Sequence, residues 1–177
     1  MKRIFVIIFI ILSSCSNNIS KEYKRMIRHE LVFNRMEIVS LGHTLGYRRY
    51  DGNAKAKLVV YMDSTQCQIC RLNNIYRYIP YMEMDVQNDE FDFIIVLSPL
   101  KRNYNDIKHT LAAQKVVKEI YIDDNGDFIR NNPFISENPR FHTFLLDADN
   151  KIELIGDPTA SEKIAEMLNY RIAELLK

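Results

Sequence analysis

The stretch "KLVVYMDSTQCQIC" (Lys57–Cys70) constrains the fold of this chain more than any other. Its first half is β-branched and apolar without interruption, the pattern of a strand buried on both faces. Its second half is a polar turn that ends on two cysteines three residues apart. The residues that follow place Ile69, Leu72, Ile75, Tyr76 and Ile79 at helical spacing. A buried strand must therefore hand over to a helix across Cys67 and Cys70. Two cysteines so spaced serve as a redox pair, as half of a metal site or as an inert staple, and the spacing alone leaves all three open.

The remaining segments alternate in period. Ser20 to Met36 has helical spacing, with Ser20 as its cap, and Met36 to Leu41 reads as a first strand. Residues 42–56, with Gly42, Gly46 and Gly52, read as a loop. Pro80 should kink or end the helix after the cysteines. Phe91 to Pro99 is a second buried strand. Asn105 to Val117 is an amphipathic helix with Ile107, Leu111 and Val116 inward, and Glu119 to Asp123 a short strand. A turn and a short helical stretch follow in "NGDFIRNNPF". "HTFLLD" (142–147) and "KIELIG" (151–156), separated by "ADN", form a hairpin signal. A closing helix starts after Thr159 or Ser161, with Ile164, Met167, Leu168, Ile172 and Leu175 as its apolar stripe. Strands alternating with helices, then a hairpin, predict an α/β fold with a mixed central sheet and helices on both faces.

The N-terminus carries its own signal. Lys2 and Arg3 precede an apolar run, Ile4 to Leu12, too short to span a bilayer as a mature helix but suited to a signal-peptide core. Leu12-Ser13-Ser14-Cys15 then resembles the lipobox of bacterial lipoproteins. That resemblance implies a signal peptide over 1–14, a lipidated Cys15 and a short tether over 15–20. Acyl chains on one cysteine exceed what stable anchoring needs. The expected location is the cell envelope, with the domain outside the cytoplasm; Ser16 after the cysteine favours the outer membrane. About 160 residues remain, enough for one domain. The formal charge of +1 becomes −1 when Lys2 and Arg3 leave, which gives no electrostatic case for nucleic acid. Of the three cysteines only Cys67 and Cys70 then remain, so a four-cysteine zinc site within the chain is excluded.

"KLVVYMDSTQCQICRLNNIYRYI" resembles the strand, Cys-x-x-Cys and helix of thioredoxin-like proteins. "HTFLLDADNKIELIGDP" is similar to the later hairpin of their TlpA-like branch, and the chain also resembles small thioredoxin-like lipoproteins of Bacteroidetes-type bacteria. The resemblance covers roughly 41–177 and leaves 21–40 as an N-terminal helix and first strand. It implies a thioredoxin-like three-layer α/β/α sandwich. It makes Cys67, at a helix N-terminus, the nucleophile and Cys70 the buried resolving thiol. A helix N-terminus stabilises a thiolate, the reactive form, and the spacing of three lets the sulfurs meet. Protein thiols or disulfides and a redox donor would be the partners, with no cofactor and a monomeric domain.

Departures from the family fall around the pair. Asp63, Ser64, Thr65 and Gln66 stand where aromatic residues are usual. The facing loop usually carries a cis-proline that docks substrate and keeps metal away. Here that place falls on Phe141, with Pro139 two residues early. A cis peptide before a non-proline residue costs ~3 kcal/mol, which predicts a trans bond. Asp63 is a candidate proton acceptor for Cys70, or simply a cap for the next helix. His142 neighbours the facing loop, and with Cys67, Cys70 and His43 it would complete a four-ligand set. Those spacings match no usual zinc pattern, so no metal is assigned. "DADN" and "DDNGD" lack the glycine and distal glutamate of a calcium loop, and His29 and His109 have no role. Two function classes stand: a membrane-tethered thiol-disulfide oxidoreductase, and a non-catalytic interaction or sensing module whose cysteines form a structural disulfide.

Overall fold

The computed structural model describes residues 19–177. The leader and Cys15 lie outside the described residues. Residues 19–26 form a helix, α1. It is shorter than the helix expected over 20–36. Arg28 takes a positive φ of 69° and turns the chain into extended backbone. There Leu31 and Phe33 are buried and Val32 exposed, a period of two that no helix accommodates. The Leu31 amide donates to Asn150 O at 2.8 Å, and Glu30 bridges Lys151.

Strands β1 (Arg35–Ser40) and β2 (His43–Arg49) form an antiparallel hairpin. The loop expected over 42–56 is thus a strand in its first half. Nearly every β2 side chain is exposed, so no alternation marks it in sequence. Leu41 and Gly42 make the two-residue turn with φ of 49° and 78°, the doubly positive geometry of a type I′ hairpin. A Cβ at Gly42 would lie 2.4 Å from Lys108 O, so the turn also needs glycine for close approach to a helix.

β3 (Ala56–Met62) is buried along its whole length. It is followed by α2 (Gln68–Leu72), a 3₁₀ turn (Ile75–Tyr78) and α3 (Ile79–Gln87). The single helix expected here is therefore broken. Asn74 Nδ2 donates to Cys70 O at 2.8 Å, a side-chain bond that competes with helix continuation. Pro80 does not end a helix; it sits in the first turn of α3, where its missing N–H costs nothing. Next come β4 (Phe91–Leu97), α4 (Tyr104–Ala113), β5 (Ile120–Ile122), α5 (Asp127–Asn131), β6 (Thr143–Leu146), β7 (Ile152–Ile155) and α6 (Glu162–Leu175).

The strands form one mixed sheet in the order β2-β1-β5-β4-β3-β6-β7. β3 runs parallel to β4 and antiparallel to β6, with Val59 opposite Phe144. Alternation along β3 divides the core. Leu58, Val60 and Met62 pack with Leu72, Tyr81, Ile107, Leu111, Leu168 and Ile172 on one face. Val59 and Tyr61 pack with Met26, Phe33, Phe128 and Phe141 on the other. The result is the expected three-layer α/β/α sandwich. In α6, Leu168 and Ile172 are buried, but Met167 is 51% exposed and does not belong to the stripe. Ser161 stands at its N-cap position without a capping side-chain bond.

Lys57 is the charged residue inside β3, and its side chain is fully buried. Its Nζ donates to Asp147 O and Ala148 O at 3.1 and 2.9 Å, holding the β6–β7 turn to the sheet. Among the described residues, no helix is long and apolar enough to cross a membrane.

Candidate redox site

The site begins where β3 runs out. Asp63 Oδ1 accepts from the Thr65 amide at 3.0 Å and from Thr65 Oγ1 at 2.7 Å, folding the chain into a turn. That places Cys67 at the N-cap of α2. Its Sγ accepts from the Cys70 amide at 3.3 Å, and its carbonyl from the Arg71 amide at 3.1 Å. The two cysteines are bonded as a disulfide, with Cα atoms 5.2 Å apart.

Both cysteines are exposed, which corrects the expectation of a buried Cys70. The inward positions of the single-turn helix are Gln68 and Leu72, four residues apart and so on one face. Cys70, midway between them, faces outward. Gln68 is 4% exposed, and its Nε2 donates to Met62 O at 2.7 Å, pinning the first turn of α2 to the end of β3.

The facing loop is built differently from a strand-like docking segment. Pro139–Phe141 forms a 3₁₀ turn capped by Asn138, whose Oδ1 accepts from the Arg140 amide at 3.2 Å. The peptide before Phe141 is trans, and its side chain lies in the core. The amides of Phe141 and His142 donate to Asn138 O and Pro139 O within the same turn.

His142 is 1% exposed. Its Nε2 donates to Ser136 O at 2.8 Å, which leaves Nδ1 to accept from Gln66 Nε2 at 3.1 Å. Asp63 Oδ2 lies 4.0 Å from the same Nδ1. Burial pushes the imidazole pKa below its ordinary value, helped by Arg71 and opposed by the Ser136 carbonyl and Asp63. The ring is therefore neutral at neutral pH, in keeping with an accepting Nδ1.

Arg71 completes the surroundings. Its guanidinium donates to Gln66 Oε1, to Tyr78 Oη at 3.1 Å and to Asp157 Oδ2 at 3.2 Å. Tyr78 Oη donates to the same Asp157 oxygen at 2.9 Å. Burial, with the Asp157 charge beside it, pushes the Tyr78 phenol up to about 12.

The fold thus gathers Asp63, Cys67, Cys70, Phe141 and His142 at one end of β3. Asp63 closes the turn before α2 through Thr65 rather than capping the helix as expected, since the N-cap of α2 is Cys67. His43 lies on β2, four strands from β3 and so about 19 Å away across the sheet; it does not join the cysteines. Among the described residues, no three histidine, cysteine, aspartate or glutamate side chains converge as a metal site. Gln66, Gln68, Arg71, Tyr78 and Asp157 were not foreseen. Gln66 and Arg71 had a signal, since they flank the cysteines directly. Asp157 had none, being 86 residues from Arg71.

No protein-family model and no curated protein sequence matches the chain. Solved structures do. A Chlorobium tepidum protein assigned as the thiol:disulfide interchange protein DsbE superposes with a TM-score of 0.57 at 16% identity, covering 85% of this chain and 98% of that one. The thioredoxin domain of a thiol-disulfide oxidoreductase from Bacteroides vulgatus gives 0.52 at 19%, over 81% and 98%. A thioredoxin-like protein from Porphyromonas gingivalis gives 0.51 at 16%, over 84% and 93%. At these identities the likeness establishes the fold, which is thioredoxin-like.

Proposed function

We propose that the protein is a membrane-tethered thiol-disulfide oxidoreductase of the cell envelope. The observation that carries this reading is the exposed Cys67–Cys70 disulfide at the junction of β3 and α2 in a thioredoxin-like fold. In the reduced protein the Cys67 thiolate attacks a substrate disulfide. A Cys67–substrate bond forms, and the far substrate sulfur leaves as a thiolate. Cys70 then attacks the Cys67 sulfur, closes the intramolecular disulfide and releases the second substrate thiolate. Two electrons pass from the pair to the substrate, and a dithiol donor returns the pair to its reduced state. Run backwards, the same steps oxidise a substrate dithiol.

Cys67 at an N-cap, with its sulfur accepting from the Cys70 amide, has the surroundings that favour a thiolate. The leader and the lipobox-like Leu12–Cys15 segment support an exported, anchored protein. A tether after Cys15 belongs to the same reading, and it would end where α1 begins at residue 19. The reduction potential of the soluble domain tests the reading. A potential in the range of envelope oxidoreductases, with turnover abolished in Cys67→Ser, supports it. Cys70→Ser should trap substrate on Cys67 as a mixed disulfide. A pair that resists dithiols and traps nothing would sink it.

One observation favours the second reading, an interaction or sensing module with a structural disulfide. The loop facing the cysteines spends the Phe141 and His142 amides inside its own turn. Those donors are not free to pair with a substrate backbone.

A further inference from the structure

We infer that Gln66 and Arg71, the residues on either side of the cysteine pair, are positioning residues that fix the Cys67–Cys70 turn for exchange. The inference rests on the oxidoreductase reading. α2 is a five-residue helix, too short to hold its shape by its own hydrogen bonds. Exchange nevertheless requires the turn to bring Cys70 back to Cys67 after each substrate leaves. That return depends on the effective concentration of one thiol at the other, which grows as the turn is held in the closing geometry.

The side chains of Gln66 and Arg71 are joined directly, Arg71 donating to Gln66 Oε1. Each is then tied to a different part of the fold. Gln66 Nε2 donates to His142 Nδ1, and His142 is itself fixed by Ser136 O on its far nitrogen and by the Tyr61 amide on its carbonyl. Arg71 is held by Tyr78 in the next 3₁₀ turn and by Asp157 beyond β7. The entry to the pair is thereby coupled to the facing loop and its exit to the end of the hairpin. The bracket is continuous, His142–Gln66–Arg71–Asp157, and it spans the disulfide.

The bracket acts on the equilibrium between dithiol and disulfide. The test is the equilibrium constant of the pair with reduced and oxidised glutathione, measured on the soluble domain. Gln66→Ala removes no charge, so its effect reports geometry. It should lower the constant for closing the disulfide about five- to tenfold, the worth of one hydrogen-bonded tie. Gln66→Glu keeps an acceptor for the guanidinium but loses the donor to His142 Nδ1, so it should recover only part of that loss. Asp157→Asn weakens the Arg71 anchor from the far side of the domain and should shift the constant in the same direction. Gln66→Ala combined with Arg71→Ala should shift it no further than the larger single change, because both break one bracket. Thermal unfolding of each oxidised variant checks that it folds; if Arg71→Ala does not, the two Gln66 variants carry the test.

If the wild type exchanges with glutathione and both Gln66→Ala and Asp157→Asn stay within about twofold of it, the bracket does no positioning. Additive single and double effects would overturn the inference as well. A wild type that fails to exchange at all sinks the oxidoreductase reading, and this inference with it.

Discussion

His142 shows how one buried side chain ties chemistry to stability. It is held neutral between the Ser136 carbonyl and Gln66, with its pKa depressed chiefly by burial. The unfolded chain takes up the proton near the ordinary value of about 6.5 while the folded protein resists it. The contribution of His142 to folding stability should therefore be constant above that pH and fall as pH drops below it. Glu37 acts in a lower window. Burial works to raise its pKa, but hydrogen bonds from Thr44, Tyr104 and Lys108 outweigh burial and hold it low. Its contribution is lost only below about 4.5, the ordinary carboxylate range. Denaturant midpoints at pH 7.5 and 5.0 should thus fall for the wild type and fall less for His142→Asn. Equal slopes in the two proteins would place the acid sensitivity elsewhere.

At the scale of elements, burial separates residues that periodicity joins. Met167 and Leu168 both fit the apolar stripe of α6 on paper. In the fold Leu168 is buried in the same cluster as Leu58 and Ile107, whereas Met167 faces solvent. Leu168→Ala should cost about 2–5 kcal/mol, and Met167→Ala should stay within about 0.5 kcal/mol of the wild type. Chemical denaturation of the pair checks this directly. The same reasoning explains the broken helix after the cysteines. Ile69, Leu72, Ile75 and Ile79 keep a helical rhythm, but Asn74 bonds back to Cys70 O and interrupts the backbone between Leu72 and Ile75. Apolar spacing records which residues face the core. It does not record where a polar side chain competes for the backbone.

Across the whole molecule, the seven-stranded sheet carries the cysteines at one end of β3, the fifth strand in its order, and packs a hydrophobic cluster against each face. The proposed anchoring rests on the segment before it. Cys15→Ser, expressed in a lipidating bacterial host, should move the protein from the membrane fraction to the soluble one and abolish fatty-acid labelling. Retention in the membrane fraction would mean that something other than a lipidated Cys15 holds it there.

The unbroken apolar runs at β3 and β4, the Cys-x-x-Cys junction and the β6–β7 hairpin were determined locally, since each is written in the period of its own side chains. So was their order, and with it the layered fold. The exposed strand β2 was not legible, because an edge strand solvated on both sides leaves no alternation. Nor was the outward turn of Cys70, which follows from Gln68 taking the inward position by reaching Met62 O. The bracket around the pair was decided by tertiary structure alone. Gln66 and Arg71 meet only because a single helical turn folds between them, and Asp157 and His142 reach them only because β6 lies beside β3. Cys67 and Cys70 were evident from their spacing; what fixes their geometry comes from residues far along the chain, which only the folded sheet brings to them.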